Sequence, residues 1–260
     1  NLPFLNIGET KNKGIDATLE YNKKVVDGFF MARGTFNYNV NEAVKDNLPP
    51  WRYPYLDRDG HRISQRFGYI DMGLFKSDEE IANAAVQAGD VRVGDIRYKD
   101  LNGDGVINSN DQTAIGYGDV PSIIYGLTLG GGYKGFDISL FFQGAGMVDL
   151  NYSSGFAVTP FSNGPTYGNL YATALDRWDP NNPDKETFYP RLSTSETQTT
   201  NYLTSTYWLK RSDYIRLKQA EFGYNFTKNA FLENIHISKL RIFANGFNLL
   251  TWSKWENWDP

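Results

Sequence analysis

The sequence predicts an all-β protein built from antiparallel hairpins, and three observations carry that reading. Apolar and polar residues alternate at period two over several long stretches. Short turns join these stretches at one end, whereas long polar loops join them at the other. The apolar content sits in rings and small residues instead of aliphatic runs: 260 residues include 17 Phe, 17 Tyr, 6 Trp and 25 Gly, yet only 40% are hydrophobic. The longest unbroken apolar run is Phe29-Phe30-Met31-Ala32. A membrane-crossing helix needs about 20 consecutive apolar residues, so helical spans are excluded. Disorder goes with few aromatic and β-branched residues, which this composition also excludes.

The alternation defines three hairpins. In the first, Ile15, Ala17, Leu19 and Tyr21 oppose Asp16, Thr18, Glu20 and Asn22, the pattern of a strand whose two faces meet different surroundings. After a turn at Lys23–Gly28, Phe30, Ala32, Gly34, Phe36, Tyr38 and Val40 oppose Arg33, Thr35, Asn37 and Asn39. The second runs through Ile123, Tyr125, Leu127 and Leu129, turns at Gly130–Gly135 and returns through Phe136, Ile138, Leu140 and Phe142. The third pairs Ala220, Phe222, Tyr224 and Phe226 with Leu240, Ile242 and Ala244. The hairpins are expected at about 13–42, 121–149 and 207–252, with loops at about 43–120 and 150–206. Ile215 and Leu217 stand in the opposite register to Phe222, which predicts a β-bulge near Lys218-Gln219. Phe141 and Phe243 fall on the polar face, and the pattern does not explain them. Within the first loop, Ser77-Asp78-Glu79-Glu80 before Ile81–Val86 predicts a short capped helix.

Two architectures share these features. Strands of soluble sandwiches run about 5–6 residues with mostly short connections, whereas 29–41 and 207–226 read as much longer strands. A tilted strand crossing a bilayer needs about 9–11 residues, and short turns opposite long loops mark outer-membrane barrels. A transmembrane barrel leads, and a soluble sandwich stays as the alternative.

Bulk charge and residue counts narrow the chemistry. The net charge is −4 with no basic stripe, so nucleic acid is not an expected partner. Cysteine is absent, which removes disulfides, thiol nucleophiles and Cys-ligated zinc. His61 and His236 are the only histidines. The start, Asn1-Leu2-Pro3, shows no leader pattern. Asp57/Asp59 and Glu79/Glu80 are paired carboxylates of the kind glycosidases use, but they lie in polar loop or helix-start sequence. No catalytic residue is assigned, and the protein is expected not to be an enzyme.

Residues 100–111 read Asp-Leu-Asn-Gly-Asp-Gly-Val-Ile-Asn-Ser-Asn-Asp, with oxygen side chains at loop positions one, three, five and twelve and glycine at six. Calcium takes about 6–8 oxygen ligands, and this spacing offers Asp100, Asn102, Asp104 and Asp111, the carbonyl of Val106, and Asn108 through water. Asp111 stands where a helix–loop–helix calcium site has a longer Glu. A structural calcium clip is therefore expected, and an Asx-rich turn without metal is the alternative.

Gly94-Asp95-Ile96-Arg97-Tyr98-Lys99-Asp100-Leu101-Asn102-Gly103-Asp104-Gly105, then Asp111, Ile115-Gly116, Pro121 and Tyr125-Gly126-Leu127, resembles a characteristic segment of SusC/RagA-type TonB-dependent transporters. Gly132–Ser139, Phe141–Gly144, Tyr214–Lys218, Gly223-Tyr224, Asn248–Trp252 and Asp259-Pro260 continue the resemblance in order, and Asn6–Ile15 precedes it. The resemblance implies a C-terminal part of a β-barrel of about 22 strands in the outer membrane of a Bacteroidota-type Gram-negative bacterium. It implies a plug, signal peptide and final strand outside this sequence, and a SusD-like surface lipoprotein as lid. Uptake of oligosaccharides or peptides would be powered by the TonB complex. The long loops would then be extracellular, and Trp51, Tyr53, Tyr55, Tyr152 and Tyr167 are expected to pack the loops and meet lid or substrate. A soluble calcium-dependent glycan-binding β-domain is the alternative function.

Overall fold

The structure is a computed structural model, and it describes residues 8–46, 48–153, 171–193, 200–226 and 236–254. The strands, in chain order, are β1 (Glu9–Val25), β2 (Gly28–Lys45), β3 (Arg66–Gly68), β4 (Asp71–Leu74), β5 (Ile96–Tyr98) and β6 (Thr113–Ile115). They continue with β7 (Ile123–Tyr133), β8 (Phe136–Gly146), β9 (Asp149–Asn151), β10 (Leu209–Arg211), β11 (Tyr214–Phe226) and β12 (Leu240–Ser253). The chain divides into a sheet unit (Asn12–Val40, Pro121–Val148, Ser212–Pro260) and a loop unit (Asn1–Lys11, Asn41–Val120, Asp149–Arg211).

The sheet unit is antiparallel, in the order β1-β2-β7-β8-β11-β12. Among the described residues it is not closed, and β1 and β12 form its ends. Directly opposed residues of an antiparallel pair share a face, so the register defines each face row by row. One row reads Phe36, Tyr125, Gly144, Ile215 and Trp252. The next reads Gly34, Leu127, Phe142, Leu217 and Leu250, followed by Ala32, Leu129, Leu140, Ala220 and Gly246. The last rows are Phe30, Gly131, Ile138, Phe222 and Ala244, then Gly28, Tyr133, Phe136, Tyr224 and Ile242. This face is apolar throughout, with Tyr and Trp confined to the two end rows and Phe, aliphatic or small residues between. The opposite face carries Arg33, Thr35, Thr128, Asp137, Ser139, Gln143, Glu221 and Asn245, and on it Arg241 bonds both Asp137 and Glu221.

Two irregularities have local causes. Between β8 and β11 the register shifts from Leu217↔Phe142 to Gln219↔Phe141, which leaves Lys218 as the extra residue. Against β12 the same step runs from Leu217↔Leu250 to Gln219↔Phe247, and Asn248 takes a left-handed φ of 53°. That bulge reverses the parity of β11, so Ile215 and Leu217 share a face with Phe222 despite their numbering. Phe141, on the polar face, lies beside Gly126, where an added Cβ would come within 3.3 Å of its ring. Phe243 is opposed to Gly223, and the Arg241 guanidinium lies 5.0 Å from its ring centre.

The hairpin turns are shorter than the sequence pattern predicts. β1 and β2 are joined by Val26-Asp27, with Asp27 at φ 61°. β7 and β8 are joined by Lys134-Gly135, at φ 48° and 88°; two successive positive φ values are the type I′ geometry that matches strand twist. Gly130–Gly132 therefore belongs to β7. The third turn, at 227–235, and the tail at 255–260 lie outside the described residues. The stretch 207–226 is not one strand: Leu209–Arg211 pairs with Asp149–Asn151 within the loop unit, and β11 starts at Tyr214.

The loop unit is held by three two-stranded pairs, β3–β6, β4–β5 and β9–β10. Its helix α1 (Asp78–Asn83) starts at Ser77, whose hydroxyl accepts from the Glu80 N–H at 3.2 Å. The Glu80 carboxylate reaches back to the Lys76 N–H at 2.8 Å. The helix ends before Val86 because Val86 joins a parallel bridge instead, donating to Gly105 O and accepting from the Ile107 N–H. No helix among the described residues is long and apolar enough to cross a membrane.

Candidate functional site

The Gly94-Asp95 step organises the loop unit. Gly94 has φ +89°, and a Cβ there would lie 2.5 Å from the Trp178 indole, so only glycine suits the position. Asp95 is fully buried. Its carboxylate accepts from Arg191 Nε and Nη2, both at 3.1 Å, from Asn201 Nδ2 at 2.9 Å and from the Arg92 N–H at 2.8 Å. Asn201 Oδ1 accepts from the Ile96 N–H, and its carbonyl accepts from the Trp208 indole at 2.6 Å. A buried charge is tolerated only when paired and hydrogen-bonded, and here both conditions are met. Trp208, itself fully buried, gathers Phe188, Tyr189, Tyr202 and Tyr207 at 5.2–6.2 Å between ring centres. Tyr98 donates to Thr200 O at 2.6 Å, and burial raises its pKa strongly.

The Asp-rich loop closes on itself by backbone donation. Asp100 accepts from the N–H groups of Gly103 (2.7 Å) and Gly105 (2.8 Å). These bonds, Gly105 first, hold its carboxyl below the usual carboxylate range. Asn102 Oδ1 accepts from Asp104 N, and Asp104 Oδ1 from Val106 N, each at 2.9 Å. The Val106 carbonyl accepts from the Asn108 amide at 3.2 Å. Asp111 is fully buried and accepts from the Leu101 and Asn108 N–H groups at 2.9 and 2.8 Å. The donor chemistry fits a hard cation, since every candidate ligand atom is oxygen. Among the described residues no three acidic or imidazole side chains gather around one point, so the ligand atoms would have to draw together on binding.

Two aromatic candidates meet this loop. Tyr53 and Tyr55 stack at 5.4 Å between ring centres and 7° between planes. Tyr55 donates to Asn110 O at 2.8 Å, and the Asn102 amide donates to the Tyr53 hydroxyl at 3.4 Å. Burial and the nearby Asp111 raise the Tyr55 pKa. Trp51 stands next to the pair, 40% exposed, in a groove with Arg52, Arg58 and Phe67. Tyr152 is elsewhere: it is buried, edge-on to Phe188, and its N–H donates to Trp208 O. Tyr167 lies outside the described residues. The sequence reading missed Asp95, Arg191 and Asn201 as a unit. Their one visible trace was Gly94-Asp95, an acidic residue directly after a glycine, between Val91-Arg92-Val93 and Ile96-Arg97-Tyr98.

No family model matches the chain. TonB-dependent receptor P3 of Formosa agariphila is 29% identical over 98% of this chain and 25% of its own length. Receptor P26 of the same organism is 29% identical over 100% of the chain and 26% of its own length. The chain thus spans about a quarter of these curated relatives. Among solved structures, the RagAB peptide transporter matches with a TM-score of 0.69 and 21% identity, covering 96% of this chain and 26% of that one. The RagAB peptide importer in the open-open state matches with 0.65 and 20%, at 96% and 26% coverage. The fold class is that of a strand-rich antiparallel barrel, represented here by an unclosed part. Relatives matching along the whole chain are TonB-dependent receptors, and the RagAB structures share its fold.

Proposed function

We propose that the chain is the C-terminal barrel portion of an outer-membrane, TonB-dependent importer. In this reading it takes up oligosaccharides or peptides together with a SusD-like surface lipoprotein. The apolar sheet face carries the proposal. Its aromatic end rows, through Tyr125 and Tyr133, lie eight residues apart on β7. That is about 27 Å along a strand at about 3.4 Å per residue, comparable with the apolar band of about 25 Å, flanked by aromatic girdles, in such barrels. Large apolar residues stay exposed on it, Ile242 at 59% and Phe222 at 54% among them. A soluble glycan-binding domain would have to cover that face, which counts against the alternative. The relatives' names support TonB dependence and the RagAB neighbours support a lipoprotein partner; transporters of this kind carry no catalytic centre.

In this reading the polar face, with Arg33, Gln143 and Glu221, borders a wet lumen, and the loop unit forms the extracellular rim. We also propose that the Asp100–Asp111 loop takes a structural calcium ion, drawing Asp100, Asn102 and Asp104 together while Asp111 stays as scaffold. The test is fractionation of cells expressing the full-length protein: extraction from outer membranes only with detergent is expected, and recovery in the soluble fraction would sink the proposal. Calcium is tested separately, by protease resistance of the loop with calcium and with chelator; equal resistance removes the metal.

A further inference from the structure

We propose that the groove beside Trp51 binds an acidic oligosaccharide, one that carries carboxylates on its sugar rings. The inference rests on the importer reading and assigns a substrate class to its loop surface. The groove is lined by Trp51, Arg52, Leu56, Arg58, Phe67 and Gln112, with Ser109 and Asn110 at its side. The Arg52 guanidinium lies 5.4 Å from the Tyr53 ring centre, and that of Arg58 lies 5.2 Å from Phe67. A guanidinium stacked on a ring keeps its in-plane N–H fork for a carboxylate. Among the described residues neither arginine makes an ion pair, and the neighbouring acids are engaged by backbone N–H groups. Asp57 accepts from Asp59 N at 3.0 Å, and Asp59 from Asp46 N at 2.8 Å.

The groove therefore sets two guanidinium groups, neither in an ion pair among the described residues, beside an exposed indole. A pyranose ring offers its C–H face to the indole, as apolar surfaces meet aromatic faces. A carboxylate on the same ring lies at its rim, within the plane a guanidinium fork addresses. Hydroxyls then meet the Gln112 amide and the Ser109 hydroxyl, the few placed polar groups that orient a ligand in such sites. A neutral glycan offers neither guanidinium fork a carboxylate. An acidic peptide brings carboxylates on flexible stems with no flat face attached to them.

The experiment measures binding to the purified full-length receptor in detergent. The probes are an oligogalacturonate, a neutral oligogalactoside of equal length and an oligoglutamate peptide. The oligogalacturonate is expected to bind tightest, with affinity that falls as salt rises. The double variant Arg52→Gln, Arg58→Gln is expected to weaken it at least tenfold, and Trp51→Ala to do the same, with partial recovery in Trp51→Phe. Equal binding of the neutral glycan, preference for the peptide, or affinity unmoved by the variants would overturn the assignment. If the double variant fails to reach the outer membrane, the wild-type preference decides alone. Wild-type protein absent from the outer membrane would instead count against the importer reading, so the two failures are distinguishable.

Discussion

Arg191 grips the buried carboxylate of Asp95 with two nitrogens, each 3.1 Å from an oxygen, across 96 residues of sequence. Removing one partner of a buried pair leaves an uncompensated charge, at a cost of about 3–5 kcal/mol. Arg191→Ala should therefore expose the loop unit to limited proteolysis at temperatures the wild type resists. Arg191→Lys should recover little, because an ammonium cannot form the fork. Equal protease resistance of Arg191→Lys and the wild type would contradict the bidentate role.

Gly94 supplies the second test. A methyl there meets the Trp178 indole at 2.5 Å in a backbone of φ +89°. Overpacking costs about 1–3 kcal/mol, and alanine at positive φ adds about 1 kcal/mol. Gly94→Ala should lower the unfolding midpoint of the loop unit and shift tryptophan fluorescence. An unchanged midpoint would show that the indole moves aside freely.

The Asp-rich loop separates into scaffold and candidate ligands. Asp111 holds two backbone N–H groups from a fully buried position. Hydrogen bonds to a charged group contribute about 1.5–3 kcal/mol each. Asp111→Ala should weaken protease resistance of the loop with or without calcium. Asp104→Ala should weaken it only when calcium is present. If both variants behave alike under chelator and under calcium, the division is wrong.

Alkaline pH probes the aromatic cluster around Trp208. Burial pushes the Tyr202 phenol up to about 12, and raises Tyr98 and Tyr207 as well. A raised folded pKa means that the native state keeps its proton longer than the unfolded chain does. Stability from these groups is complete below the unfolded value of about 10 and falls as pH rises from there toward the folded values. Tyrosinate absorbance should show a late-titrating group that merges with the exposed tyrosines after denaturation. Tyr98→Phe should diminish it; titration of all tyrosines together near pH 10 would refute the burial.

The barrel rows were legible in the sequence because alternation is a local property of the strand, and the parity break at Lys218 was readable for the same reason. The β9–β10 pair was not: three residues on each side carry no period, and the pairing depends on Asp149 meeting Arg211, and Asn151 meeting Leu209, across a long loop. The meeting of Tyr55 with Asn110 was equally hidden, since no sequence rule brings a stacked tyrosine pair to an Asx-rich loop 55 residues away. Phe141 defied the pattern because its ring takes the space beside Gly126 on the neighbouring strand, whereas Phe243 stays exposed under the Arg241 guanidinium. Side-chain alternation within one strand does not report such cross-strand vacancies.

The sheet ends at β1 and β12, 17 and 14 residues long, so each presents a row of backbone groups with no partner strand among the described residues. Exposed edges template pairing with other chains. Produced by itself, this stretch should self-assemble edge to edge into insoluble aggregates, and refolding in detergent should yield ladders of oligomers. Any study of isolated loops should therefore begin with the Asn41–Val120 and Asp149–Arg211 segments on a grafted scaffold that supplies its own closed rim of strands.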